Sequence, residues 1–425
     1  GLLTFPKMIP LRRDARGRAW LARPRQALHL RSKSKLRQGP SKGFPLRGNW
    51  TNLALWYMVI ELGQSVFHVQ VDTGSSDLAV PDQSCSCSQH LDPSWNPAQS
   101  AGVQPASCND PNIACSGGQQ TSCTGSNNQC QYQIQYADSS GYTANVWVTN
   151  ATFGSFQFGG IKINDQYAGS IVSESGNFEP PAVDGIMGFA QQSISVIGAP
   201  PMIQQLSRNA NCPFHFSMCG DVHHTGGILT VCGGGKNYYG QLQWTPMVNY
   251  DQGFYNIYVQ DFAVNGQRLG IDSNVYNSGM NTVDSGTTMM LLATPAFSAL
   301  KTAFLNNCST NSLHGVCDVS SSATLFDNGN CFSMSASQIA AFPNIEIYAG
   351  EPGSTITITI SPNAYLVPGF CSDPTQYSLS IQSNGSTGTL LGDPIMLANE
   401  VHYDVANRRM GFAPKSSSCV FSTKK

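Results

Sequence analysis

Val71-Asp72-Thr73-Gly74-Ser75-Ser76 and, 212 residues later, Val283-Asp284-Ser285-Gly286-Thr287-Thr288 are nearly one hexapeptide written twice. Each is an apolar residue, an aspartate, a hydroxyl residue, a glycine and two further hydroxyl residues. A single Asp-Thr-Gly means little, since such a triplet arises by chance in roughly one chain in ten of this length. One copy alone reads equally well as an Asx-turn in a loop. Two copies with matched flanks are a different matter. Phe67-His68-Val69-Gln70-Val71 alternates into the first, Leu78-Ala79-Val80 follows it, and Met289-Met290-Leu291-Leu292 follows the second. Joint chance occurrence drops to roughly one in a thousand or less. Two carboxylates held together cannot both ionise, so they share a proton. The ionised member can then act as general base toward water and the protonated one as general acid toward a carbonyl. Neighbouring hydroxyls and glycine amides are suited to fix both carboxyl planes by hydrogen bonds.

These residues resemble the pepsin-like aspartic endopeptidases over nearly the whole chain. Asp184-Gly185-Ile186-Met187-Gly188-Phe189 is similar to the family's buried loop under the first aspartate, and Leu390-Leu391-Gly392-Asp393 to its counterpart under the second. Trp244-Thr245-Pro246 is similar to the strand leading into the second lobe. Ser386-Thr387-Gly388-Thr389, Tyr403-Asp404 and Arg409-Met410-Gly411-Phe412-Ala413 make the C-terminal half most similar to the beta-secretase branch, whereas the cysteine-rich stretch Cys85 to Cys130 resembles nepenthesin-type plant enzymes. The resemblance implies an all-β, bilobal acid protease fold with residues 48–225 and 226–425 as the two lobes. It implies Asp72 and Asp284 as the catalytic pair, Ser75 and Thr287 as their hydroxyl partners, and Thr73 and Ser285 as supports of the loops beneath. Gly74 and Gly286 would let substrate backbone approach closely. It requires neither metal nor cofactor.

The same resemblance implies a flap. Cys130 to Gly141 reads as a strand running into a Gly/Ser turn, with Tyr136 placed to close over substrate and Tyr132 on the same face. The plainer alternative is an ordinary half-buried strand tyrosine. Asp138, at the tip, either shapes the turn through nearby amides or faces the cleft and favours basic or polar substrate side chains. One departure stands out. Many pepsins place a tryptophan seven residues after the first aspartate, where it holds the flap tyrosine. Here that residue is Ala79, and residues 136–146 contain no tryptophan that could compensate, as one does in beta-secretases.

Strand patterns dominate the rest. Thr355-Ile356-Thr357-Ile358-Thr359-Ile360 alternates strictly, and the best helix signal runs from Pro295 to Cys308, with Phe297, Leu300 and Phe304 on one face. At 425 residues the chain can hold two domains with sizeable cores. Its near-neutral charge hides an asymmetry. Residues 1–47 carry thirteen Lys and Arg against one acid, Asp14, while the remainder has 10 basic and 24 acidic residues, a formal charge of −14. A basic arm on an acidic body is either a tail for nucleic acid or membranes or a prosegment lying in the body's own cleft. Phe5-Pro6-Lys7-Met8-Ile9-Pro10-Leu11-Arg12-Arg13 resembles the start of pepsinogen-type prosegments, and an acidic partner lies in the same chain. The prosegment is therefore preferred, with removal expected between Leu36 and Asn49. Nucleic-acid binding fits neither the acidic body nor the cysteines.

Fourteen cysteines, an even number, point to an oxidising compartment. Zinc is disfavoured, because Cys85-Ser86-Cys87 lacks the usual ligand spacing and no second half follows. The six cysteines from 85 to 130 allow fifteen pairings. Resemblance to beta-secretase implies Cys331 with Cys371 and Cys219 with Cys419, and Cys308 lies near enough to Cys317 to pair locally. Sequons at Asn49, Asn150, Asn307 and Asn384 agree with the secretory route and a secreted or lysosomal/vacuolar destination. No signal peptide is visible at Gly1, so the chain is expected to begin after its removal. No apolar run is long enough to span a bilayer, and the sequence ends Phe421-Ser422-Thr423-Lys424-Lys425, so a beta-secretase-type anchor is either absent or cut away. The expected molecule is a monomer acting on polypeptides, its own prosegment included. The rival class is a catalytically silent homologue that only binds peptides or proteins. Such proteins have usually lost an aspartate or a loop residue, and neither motif here is damaged.

Overall fold

The computed structural model describes residues 41 to 419, except 50–54, 88–89, 116–119, 127, 156–158, 177–182, 222–225, 310–311, 321–322, 328–329, 369, 372, 374, 386–387 and 418. The basic arm up to residue 40, its expected inhibitory contacts and the C-terminal Phe421 to Lys425 lie outside the described residues. Four strands open the described chain: β1 (Lys42–Asn49), β2 (Leu55–Leu62), β3 (Ser65–Asp72) and β4 (Leu78–Pro81). The alternation read before the first motif is the inward face of β3, where Phe67, Val69 and Val71 are fully buried. β3 pairs antiparallel with β2, from Tyr57 opposite Gln70 to Leu62 opposite Ser65, across a turn in which Gly63 takes φ +60°.

Asp72 sits at the end of β3, where a parallel neighbour, Gly185–Gly188, runs beside it with Met187 opposite Val71 and Gly188 opposite Asp72. On its other side that short strand pairs antiparallel with β4, and β4 pairs in parallel with Ile161–Ser175. The second half repeats the arrangement. Val283 bridges Leu391 in parallel, Met290–Leu292 pairs antiparallel with Thr389–Leu391, and its other neighbour Ile381–Ser383 runs parallel. Gly188 and Gly392 hold equivalent places. A Cβ on Gly188 would lie 2.4 Å from the Ser76 nitrogen, and one on Gly392 would lie 2.2 Å from the Thr287 carbonyl oxygen. Only glycine lets these strands lie against the motif loops.

A continuous sheet joins the halves. Its strands follow in space as Gln243–Pro246, Arg409–Pro414, Asn399–Asp404, His215–Gly220, Gly226–Val231, β1 and β2. β1 is thus an interior strand, with Lys42 to Arg47 opposite Val231 to Gly226, and Arg47 to Asn49 opposite Tyr57 to Leu55. The expected limit of the basic arm, residue 47, falls inside this strand. The expected lobe boundary at 225/226 falls between His215–Gly220 and Gly226–Val231, two strands of the same sheet that pair with each other.

The rest is mostly β with short helices, as the bilobal expectation requires. Ile356–Ile360 alternates buried and half-buried residues. The helix spans Thr294–Asn306, with Pro295 in its first turn and Leu300 and Phe304 fully buried. Burying each such side chain stabilises the fold by about 1.5–3 kcal/mol. Seven disulfides include Cys219–Cys419, Cys331–Cys371 and Cys308–Cys317. Within the cysteine-rich insert the pairs are Cys85–Cys87, Cys108–Cys123 and Cys115–Cys130. The seventh is Cys212–Cys232. No helix among the described residues is long and apolar enough to cross a membrane.

Candidate active site

The two hexapeptides meet where the halves face each other, and each builds the same cage around its aspartate. The Gly74 amide donates to Asp72 Oδ1 at 2.8 Å, and the Ser75 hydroxyl donates to Asp72 Oδ2. The Gly286 amide donates to Asp284 Oδ1 at 2.9 Å, and the Thr287 hydroxyl donates to Asp284 Oδ2 at 2.6 Å. Each carboxylate has one oxygen held by main chain and the other by a hydroxyl three residues on, which fixes its plane.

Thr73 and Ser285 do more than support their own loops. The Thr73 hydroxyl donates to the Val283 carbonyl at 3.0 Å and accepts from the Ser285 amide at 2.9 Å. The Ser285 hydroxyl donates to the Val71 carbonyl at 2.7 Å and accepts from the Thr73 amide at 3.1 Å. All four bonds cross between halves, and all four groups are buried, so loss of either hydroxyl strands partners away from water.

Gly74 and Gly286 also serve the contact between the two motifs. A Cβ on Gly74 would lie 2.7 Å from Asp284 Oδ2, and one on Gly286 would lie 2.2 Å from Asp72 Oδ1. Each glycine vacates the place taken by the opposite half's carboxylate, which lets the two motifs approach closely. Asp72 and Asp284 are 5% and 7% exposed and within hydrogen-bonding reach of each other. Burial pushes the Asp72 carboxyl well above the usual range. The charge of Asp284 pushes it further, against the lowering effect of the Ser75 and Gly74 hydrogen bonds.

Beneath the cage lie further buried acids. Asp77 accepts from the Ser195 hydroxyl at 2.7 Å and the Val196 amide at 2.9 Å, and burial raises its pKa. Asp184 accepts from the His68 and Asp92 amides at 2.6 Å each. Burial, with Asp92 second, raises it to about 6. Asp393 is fully buried, and burial holds it well above the carboxylate range, with the Trp56 indole as its hydrogen-bonding neighbour. Asp184 and Asp393 are not equivalents, since the equivalence of Gly188 and Gly392 sets Phe189 opposite Asp393.

The segment expected to form a flap is a hairpin of Gln129–Gln135 and Gly141–Phe153, with Gln135 opposite Gly141. Its tip is closed by the Tyr136 amide bonding to the Ser140 carbonyl at 2.8 Å, with Ser139 at φ +70°. Tyr136 is half-buried and near enough to Asp72 for that charge to raise its pKa, second to burial. Asp138 Oδ1 accepts from the Ser140 amide at 2.9 Å and the Ser140 hydroxyl at 2.6 Å, an Asx-turn across the tip. Sequence reasoning did not find Tyr142. It lies buried beside Tyr136, their ring centroids 6.3 Å apart.

A bilobal β fold with a mirrored pair of caged carboxylates defines an aspartyl protease architecture. Residues 56–415 match the family model described as eukaryotic aspartyl protease, and the chain belongs to that family. It is similar to aspartic proteinase 39 of Arabidopsis thaliana, 27% identical over 393 residues that cover 88% of this chain and 77% of the relative. It is also similar to gastricsin of Macaca fuscata fuscata, 25% identical over 357 residues covering 82% and 80%. An aspartic protease of Phaffia rhodozyma is 23% identical over 402 residues, covering 93% and 85%. These likenesses are to the family at large and single out no branch within it.

Proposed function

We propose that this chain is an acid-acting aspartic endopeptidase, made as a zymogen, with Asp72 and Asp284 as its catalytic pair. The observation that carries the reading is the reciprocal fit of the two motifs: each carboxylate occupies the space left by the other half's glycine. In the proposed reaction the ionised carboxylate takes a proton from water while the water oxygen bonds to the scissile carbonyl carbon. The protonated carboxyl gives its proton to the carbonyl oxygen, and a gem-diol forms. Proton transfer to the nitrogen then breaks the C–N bond and yields a carboxylic acid and an amine. The chain's own residues fix both carboxyl planes and keep the pair singly protonated. Both carboxylates come from one chain, so a monomer suffices.

Polypeptides are the substrates, and the basic arm is the internal inhibitor, held by cleft carboxylates near neutral pH. The cysteines and sequons support passage through the secretory route, to the exterior or to a lysosome or vacuole. The test is incubation with denatured protein at pH 3–5, with and without a statine-type inhibitor, beside Asp72→Asn and Asp284→Asn. Inhibitor-sensitive cleavage is expected, lost at least about a hundredfold in either variant. Either variant retaining more than that removes the assignment.

A further inference from the structure

The small Ala79 leaves open what holds the flap tyrosine, and the space above it is filled by two other tyrosines. Tyr132 and Tyr142 face inward from the two flap strands, buried to 1% and 3% exposure in one cluster with Ala79, which is itself fully buried. Their rings meet edge to face at 5.8 Å, and their hydroxyls lie 3.4 Å apart. The Tyr132 hydroxyl reaches the Leu78 carbonyl at 3.5 Å. Room for that hydroxyl comes from Gly169, opposite Ala79 on the adjoining strand, where a Cβ would lie 2.4 Å from the Tyr132 oxygen. Tyr142 sits two residues past the tip, its ring centroid 6.3 Å from that of Tyr136, and it acts on the Tyr136 hydroxyl.

Resting on the endopeptidase reading, we propose that Tyr142 is the positioning residue for Tyr136, holding it over Asp72 through a hydroxyl chain Tyr136–Tyr142–Tyr132 that ends on the Leu78 carbonyl. A carbonyl only accepts, so the chain has a sense. Tyr132 donates to Leu78, Tyr142 donates to Tyr132, and Tyr136 donates to Tyr142. The Tyr136 hydrogen is thereby turned inward, and its oxygen faces the cleft as an acceptor. Ala79 and Gly169 are the small residues that admit this chain.

Tyr142→Phe keeps the ring and breaks the chain. The expected result is a kcat/KM about tenfold lower on an oligopeptide, and amide exchange about tenfold faster at residues 134–141 but unchanged in β2 and β3. In a Tyr136→Phe background the added Tyr142→Phe change should cost kcat/KM nothing more, because the group it positions is gone. A merely structural role for Tyr142 would lower kcat/KM equally in both backgrounds, which overturns the proposal, as does unchanged flap exchange. Exchange is read without turnover, so an inactive wild type would sink the endopeptidase reading and leave this one to be decided separately. Should Tyr142→Phe not accumulate as folded protein, Tyr132→Phe serves. It removes the link to Leu78, and about threefold faster flap exchange is expected, with no change overturning the proposal.

Discussion

At the scale of the residue, the site is governed by two missing methyl groups. Gly286 and Gly74 do not need glycine for their backbone angles, since neither has positive φ. They need it because a Cβ would occupy the opposite carboxylate's position. Gly286→Ala places that atom 2.2 Å from Asp72 Oδ1, whereas Gly74→Ala places it 2.7 Å from Asp284 Oδ2. Overpacking of this kind costs about 1–3 kcal/mol and is relieved only by parting the carboxylates. Gly286→Ala is therefore expected to lose activity at least about a hundredfold, and more than Gly74→Ala, with a small fall in Tm. Steady-state kinetics and calorimetry on the pair of variants check this. Gly286→Ala within threefold of wild type would show that the halves are not in the described contact. The motif repeat was legible in sequence because its chemistry is local: each aspartate takes its cage from the next three residues. The crossed bonds of Thr73 and Ser285 were not, since they depend on how two distant loops meet.

At the scale of the element, the flap shows the limit of sequence reading. Its strand, its turn and Tyr136 follow from residues near in the chain. The neighbours of Tyr136 follow from register, and no local pattern states that Ile134 lies opposite Tyr142. The inward alternation of Tyr132, Ile134 and Tyr136, together with a tyrosine just past the turn, was the available signal. Likewise the insert's cysteines permit fifteen pairings until the hairpin fixes Cys123 opposite Cys130, each then bonded to a different partner. At the tip, Asp138 Oδ1 accepts from both the amide and the hydroxyl of Ser140, which favours turn-shaping over reading of substrate. Asp138→Asn is then expected to slow cleavage of Lys-containing and neutral peptides in parallel, by about two- to fivefold, as one bond of the Asx-turn weakens. Competition kinetics on matched peptides at pH 5 measure this. A selective loss on the basic peptide would restore the substrate-reading role.

At the scale of the whole molecule, buried acids set the response to pH. Asp72, Asp77, Asp184 and Asp393 all have raised pKa values, burial being the largest cause in each. A carboxyl raised on folding contributes stability that is fully present below its unfolded pKa and lost as pH rises through the folded one. For Asp184, raised from 3.8 to about 6, the loss runs from about pH 4 to about pH 6, levels off above that, and is on the order of 3 kcal/mol. His402, lowered from 6.5 to about 3 by burial and then by His215, acts oppositely, losing stability as pH falls below about 6.5. With Glu346 and Glu400 raised by burial as well, six acids stand against two lowered histidines, His402 and His215, and Tm is expected to fall between pH 4 and 7. A Tm that climbs across that window contradicts the balance. Activation belongs to the same scale. Release of the arm by acid should leave β1 in place, because β1 is hydrogen-bonded on both sides. N-terminal sequencing after acid treatment is expected to give a start between Leu36 and Lys42. Full activity with Gly1 still at the N-terminus would show that the arm does not inhibit. The interior place of β1 also has a consequence for synthesis. Its neighbour Gly226–Val231 leaves the ribosome 177 residues after Asn49. At about 5–20 residues per second that interval is roughly 10–35 s. Throughout it, one edge of β1 stands open as a template for stray strands. The Lys and Arg just ahead of that edge would repel other copies of the nascent chain, so the segment proposed above as the internal inhibitor would also guard the newborn strand against aggregation.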